Sequence, residues 1–88
     1  MIKEKITVRN KKGIHTRPAA VLVKTAAKFA SNFTILKDGM EINGKSIIGV
    51  MSLAAEEGAE LTVCVEGDDE REAFEAIKSV FERGFDEE

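Results

Sequence analysis

One short stretch of the chain combines residue types that suit phosphoryl chemistry: GIHTRPA, residues 13–19. It holds the only histidine, His15, and the only proline, Pro18, with Arg17 between them. Proline is favoured in the first turn of a helix, so we expect a helix from about Pro18, with Arg17 outside it and His15 just ahead. Free N–H groups at a helix N-terminus attract anions, and the guanidinium of Arg17 matches phosphate oxygens.

The chemistry that this arrangement suggests is a phosphohistidine. The positive end of a helix disfavours a protonated imidazole, which leaves His15 with a nitrogen lone pair for attack on phosphorus. Gly13 allows a tight approach or a positive φ without a side chain in the way. The alternative is a histidine that caps the helix or faces solvent, and the short pattern His-x-Arg-Pro by itself favours that alternative.

Composition limits the other classes of function. The 88 residues are 43% hydrophobic and 33% charged, which predicts one globular domain over residues 1–88. No apolar run reaches the length of a membrane span and the N-terminus is unlike a signal peptide, so we expect a cytoplasmic protein without membrane insertion. A net charge of −3 without Trp or Tyr argues against nucleic-acid binding. One histidine and one cysteine, Cys64, predict no metal site, disulfide or cofactor.

Periodicity places these residues on a small α+β fold. Alternating apolar residues predict strands in IKEKITV, NFTIL, MEIN and ELTVCVEG, and Asp38-Gly39 predicts a tight hairpin turn between the second and third. Apolar spacings of three and four predict a helix after Pro18 and another capped by Asp68 or Asp69. The order β-α-β-β-α-β-α predicts a four-stranded, mostly antiparallel sheet with three helices on one face. We expect Met40 and Ile42 to face inward and Cys64 to face the open side.

The segment GKSIIGVMSLAA, residues 44–55, predicts a short helix with Ser46 as its N-cap. On a helical wheel, one side carries Val50, Leu53 and Ala54, and the neighbouring side carries Ile47, Ile48 and Met51. Together these sides cover more than half of the circumference, which is wider than a surface helix usually buries. A fully buried helix is one interpretation, but we favour a partly exposed apolar patch of the kind that marks partner surfaces.

Two motifs at family positions, GIHTRPAAVLVK and KSIIGVMSLAA, together with length and element order, resemble the HPr family over the whole chain. These proteins are the histidine phosphocarriers of the bacterial phosphoenolpyruvate-dependent sugar phosphotransferase system, and they have an open-faced β-sandwich fold. The resemblance implies a phosphoryl carrier and not an enzyme. It would receive the phosphoryl group from phosphoenolpyruvate through Enzyme I, pass it to sugar-specific IIA acceptor domains for sugar uptake, and act as a monomer.

The resemblance also implies residue roles. His15 is phosphorylated on Nδ1, Arg17 supports the transfer, and Thr16 joins Arg17 in binding the phosphate. Ser46 matches the serine that HPr kinase/phosphorylase modifies in some bacteria, which implies a catabolite-control transcription factor as a further partner. Thr16 and Ala54 stand where many relatives carry Ala and Gly. The expected partner-binding surface consists of Arg17, Ala20, Lys24, Ile47, Ile48 and Met51.

Two other classes of function compete with a phosphocarrier. A purely regulatory binding module would act through Ser46 and the apolar patch with His15 idle, but HPr-like regulators keep the serine and lack the histidine. A small hydrolase using His15 as a base would lack a nucleophile elbow, a zinc cluster and an acid partner.

Overall fold

The computed structural model describes residues 1–86. The elements are β1 Ile2–Thr7, α1 Thr16–Ala26, β2 Asn32–Lys37, β3 Met40–Asn43, α2 Ile47–Met51, β4 Glu60–Glu66 and α3 Glu70–Glu82, followed by a 3₁₀ turn at Gly84–Asp86. The strands form one sheet in the order β1-β4-β2-β3, and every pair is antiparallel. The predicted α+β class, element order and sheet are confirmed.

Strand alternation sends one set of side chains into a core beneath the helices. Val63 of β4 is in register with Ile35 of β2, and both are fully buried. Helix α3 packs against β1 and β4, and its Ile77 and Phe81 are fully buried in the core. On the opposite face Cys64 is a half-buried free thiol, as the strand register predicted.

The hairpin between β2 and β3 turns at Asp38-Gly39, where φ is +49° and +82°. Two positive φ values are the signature of the tight turn that suits the right-handed twist of the strands. The prediction that Met40 faces the core is wrong, because its side chain is 44% exposed. Met40 lies beside the turn, in register with Lys37, at the end of an edge strand that the core does not reach.

Helix α1 begins two residues earlier than predicted, at Thr16, so the prediction that Arg17 lies outside the helix is wrong. Pro18 occupies the third helical position, where an N–H would have no carbonyl to bond within the helix. The helix ends at Ala26, because Lys28 N and Phe29 N donate to carbonyls only three residues back.

Asp69 stands at the N-cap of α3, but its side chain makes no capping hydrogen bond, contrary to prediction. Its carboxylate instead accepts hydrogen bonds from the amides of Ala30 and Ser31, each at 2.9 Å, and from the Ser31 hydroxyl. Asp69 thus ties the start of α3 to the loop that joins α1 to β2. The Ser31 hydroxyl and then the Ala30 amide hold the pKa of the Asp69 carboxyl below its usual value of 3.8.

We expect Asp69→Asn to lower the midpoint of thermal unfolding above about pH 5, and the loss to shrink as the pH falls towards about pH 3. A lowered carboxyl pKa in the folded state contributes stability that is present while the carboxylate is charged, and protonation removes it. Thermal midpoints across this pH range measure the effect. The control is Asp68→Asn, an exposed neighbour, and an equal pH dependence of the two variants would contradict the assignment to Asp69.

Ala54, just beyond α2, adopts a left-handed backbone conformation with φ +50°. A Cβ is disfavoured in that region, whereas glycine enters it freely. The residue is exposed, so no packing is gained from its methyl group. This chain therefore carries mild backbone strain at Ala54.

Ala54→Gly should raise the free energy of unfolding by about 0.5–1 kcal/mol, because relief of strain exceeds the added freedom of the unfolded chain. Urea denaturation measures the change. A matched variant is Ala27→Gly, which makes the same substitution at an exposed residue with φ −65° and should give no gain. A gain at both positions, or at neither, would refute the strain at Ala54.

Candidate functional site

The turn that precedes α1 is held by hydrogen bonds between Asn10 and Gly13 and by the close approach of Gly13 to the loop after α2. Gly13 N donates to Asn10 O at 3.1 Å, and the Asn10 side-chain amide donates to Gly13 O at 2.6 Å. Gly13 has φ +69°, and a Cβ there would lie 2.3 Å from Ala55 O. The next amide, of Ile14, donates to that same carbonyl at 2.9 Å. Only glycine therefore allows this turn to lie against the loop after α2.

His15 is the N-cap residue of α1, with extended backbone angles of φ −100° and ψ −162°. Its carbonyl accepts the first helical hydrogen bond, from Ala19 N at 3.0 Å. The imidazole does not cap the helix, which removes one of the alternatives left open by the sequence. The ring is half-buried with its Nε2 atom covered.

The imidazole lies in a shallow surface depression, here called the His15 depression. Its walls are Lys12, His15, Thr16, Arg17 and Ala20. The amides of Thr16 and Arg17 are in the first turn, where no helical carbonyl is available to them. The depression thus combines a histidine nitrogen, two cationic side chains and helix-start N–H groups, a combination that attracts an anion such as phosphate.

Four of the predicted site residues, His15, Thr16, Arg17 and Ala20, are brought together here, and Lys12 joins them without having been predicted. A lysine in a polar turn is ordinarily interpreted as a solvent-exposed residue without a specific role. One signal in the sequence could have identified Lys12. It lies three residues before His15, and Gly13 between them allows the chain to turn back.

Helix α2 carries the second predicted group. Ser46 Oγ accepts a hydrogen bond from Gly49 N at 3.0 Å, which confirms the N-cap. Val50 is fully buried, whereas Ile48 is 82% exposed and Ile47 and Met51 are also exposed. The predicted apolar patch, Ile47, Ile48 and Met51, therefore exists on the surface. It continues towards Met40, since α2 packs on β3 and Ser52 Oγ lies 4.0 Å from the Met40 sulfur.

The two groups lie on neighbouring helices, because α1 packs against α2. Arg17 and Lys24, seven residues apart on α1, are both exposed, and Ala20 between them is half-buried. The exposed cations of α1 and the exposed apolar patch of α2 are thus carried by two helices that pack against each other.

Comparison with known proteins bears directly on this arrangement. A protein-family model described as "PTS HPr component phosphorylation site" matches residues 2–83. The chain belongs to the HPr family. It is 46% identical to the phosphocarrier protein HPr of Xylella fastidiosa strain Temecula1 over 87 residues, 99% of this chain and 98% of that protein. It is also 46% identical to the HPr-like protein Crh of Bacillus subtilis strain 168 over 77 residues, 88% and 91% of the two chains.

The solved structure of an HPr from Thermoanaerobacter tengcongensis has the same fold, with a TM-score of 0.95 and 44% identity, covering 100% of this chain and 99% of that one. Membership of the HPr family supports a phosphocarrier role in the phosphotransferase system. Within residues 1–86, no helix of this HPr-family chain is long and apolar enough to cross a membrane.

Proposed function

We propose that this chain carries a phosphoryl group on Nδ1 of His15, received from phosphoenolpyruvate through Enzyme I and delivered to sugar-specific IIA acceptor domains. The observation that carries the proposal is the position of the imidazole at the start of α1, in a depression with cations and helix-start amides. The buried Nε2 supports Nδ1 as the reacting nitrogen. The proposal also places the protein in the cytoplasm and has it act as a monomer.

The roles of the residues follow from their chemistry. The lone pair of Nδ1 attacks phosphorus, so that an N–P bond forms while the bond from phosphorus to the donor breaks. In delivery, a nucleophilic atom of the acceptor attacks phosphorus, so that a bond from phosphorus to the acceptor forms while the N–P bond breaks and Nδ1 regains its lone pair. The amides of Thr16 and Arg17 and the guanidinium of Arg17 hold the phosphoryl oxygens during both steps. Charge on those oxygens is then stabilised by donors that are already in place.

His15→Ala should abolish phosphoryl transfer, and Arg17→Ala should slow it by about tenfold to hundredfold, as expected for loss of a hydrogen bond to a charged group. The measurement is incubation with Enzyme I and ³²P-labelled phosphoenolpyruvate, followed by tests of acid and base stability. Phosphohistidine is labile in acid and stable in base.

The control is Arg71→Ala, which removes an exposed arginine from α3, outside the His15 depression, and should transfer at the normal rate. Labelling of His15→Ala would refute the relay. Wild-type protein that takes no acid-labile phosphate would instead support the second candidate, a purely regulatory module, which similarity to Crh favours.

We also propose that Arg17, Ala20, Lys24, Ile47, Ile48 and Met51 form one docking surface around His15. The exposed apolar patch has the character of an interface core, and the cations of α1 suit partners that present acidic side chains. Enzyme I and the IIA domains would therefore cover the same side of α1 and α2.

Ser46 lies at the edge of this surface, and we propose that its phosphorylation by HPr kinase/phosphorylase acts as a switch. A phosphate adds about −1.5 to −2 charges beside Ile47, where an acidic partner must dock. The same group can still accept the Gly49 amide, so the fold should persist. The modified surface would suit a catabolite-control transcription factor with basic side chains.

Phosphorylated Ser46 and, as an imperfect mimic, Ser46→Asp should slow transfer from Enzyme I without lowering the thermal midpoint. Ser46→Ala is the matched control, because it removes the N-cap, at about 1 kcal/mol of stability, and adds no charge, so its transfer rate should stay normal. Amide chemical-shift mapping with Enzyme I should show changes on α1 and α2 that weaken after phosphorylation. An unchanged transfer rate would rule out the switch, and shifts confined to the open sheet face would rule out the docking surface.

A further inference from the structure

We propose that Lys12 binds the phosphoryl group carried on His15 and that its charge favours the phosphorylated form of this chain. The inference rests on the proposed function and adds a residue to it. Lys12 lines the His15 depression together with Thr16 and Arg17, whereas its neighbour Lys11, in the same turn, does not line it.

The turn that carries Lys12 is held in place on both sides. The buried side chain of Asn10 bonds to Gly13 O, and Gly13 N bonds back to Asn10 O, so the turn is closed around residues 11 and 12. Beyond it, Ile14 N is anchored on Ala55 O. The backbone of Lys12 therefore keeps its place relative to His15, and only the flexible side chain must move to meet a phosphoryl group.

Within residues 1–86, the charged side chains that line the His15 depression beside the imidazole are Lys12 and Arg17, both cationic, although the chain has a net charge of −3. The ion pairs found within residues 1–86 engage Lys5, Lys37, Arg83 and the N-terminal amine, and neither Lys12 nor Arg17. A phosphoryl group of about −2 charges on an acidic chain is disfavoured by the field of the whole protein, and nearby cations offset that repulsion.

Lys12 takes no part in making or breaking bonds in this scheme. When the N–P bond forms and the donor bond breaks, the ammonium group stays protonated and attracts the oxygens of the transferred group. Because it interacts with the phosphorylated form and has no such partner in the unphosphorylated form, it shifts the equilibrium between them.

The test is an equilibrium competition. Equal amounts of ¹⁵N-labelled wild-type protein and unlabelled Lys12→Gln share a limiting supply of phosphoenolpyruvate, with a trace of Enzyme I to exchange phosphoryl groups, and intact-mass spectrometry counts the phosphorylated fraction of each. We expect wild type to be favoured by about twofold to fivefold, the range of one exposed ionic contact. Lys12→Arg should match wild type, and the preference should fade between about 0.05 M and about 1 M KCl.

Lys11→Gln is the matched control, since it removes the same charge from the same turn and should compete equally with wild type. Equal behaviour of Lys11→Gln and Lys12→Gln would overturn the proposal, because the effect would then be absent or due to net charge alone. A failure of wild type to acquire acid-labile phosphate would refute the proposed function itself, so the two failures are distinguishable. Unchanged thermal midpoints of both variants show that any preference arises in the phosphorylated state.

Discussion

The backbone of residues 13 and 14 lies directly against the backbone of the loop that follows α2, and this contact positions both parts of the site. It exists because Gly13 has no side chain and because the Ile14 amide finds its acceptor on Ala55. A Cβ at residue 13 would overlap the Ala55 carbonyl, so any other residue would separate the two segments. With the contact in place, His15 enters α1 at a set angle, and α2 with its apolar patch stays next to α1.

Helix α2 depends on its surroundings more than any other element. Five residues cannot form a stable helix alone, because nucleation is unfavourable and few hydrogen bonds follow. The Ser46 cap at one end and the burial of Val50 and Leu53 beneath it hold the helix in place. Ala54, just beyond the other end, has a left-handed backbone conformation that its Cβ disfavours. The buried side chains of Val50 and Leu53 thus hold the helix on the core, while Ile48 stays exposed to solvent.

Charge is distributed unevenly over the molecule. Lysine and arginine gather at the start of α1. A second depression, by the hairpin turn, is lined by four acidic residues and one lysine: Asp38, Glu56, Glu57, Glu60 and Lys37. Asp69 lies apart from both groups and serves the fold, joining α3 to the loop after α1. An acidic chain can therefore present a positive surface at its functional residue, and an approaching partner is oriented by that contrast.

The sequence by itself determined the secondary structure order, the hairpin turn at Asp38-Gly39, the Ser46 cap and the exposed apolar patch. These features depend on neighbouring residues and on periodicity, which the sequence displays. It also placed His15 at a helix N-terminus, since proline restricts helix starts. Two predictions failed where a distant segment or the extent of the core had the larger effect: the Asp69 cap and the orientation of Met40. The predicted first residue of α1 is also wrong, for a local reason, because proline fits the third helical position as well as the first.

Only the tertiary structure decided that Lys12 joins His15, that Gly13 must lie against Ala55, and that Asp69 reaches Ser31 across 38 residues of sequence. Such contacts join segments whose separation in the chain carries no periodic signal. They follow from the way in which the helices and the sheet pack, and that packing is a property of the whole folded chain.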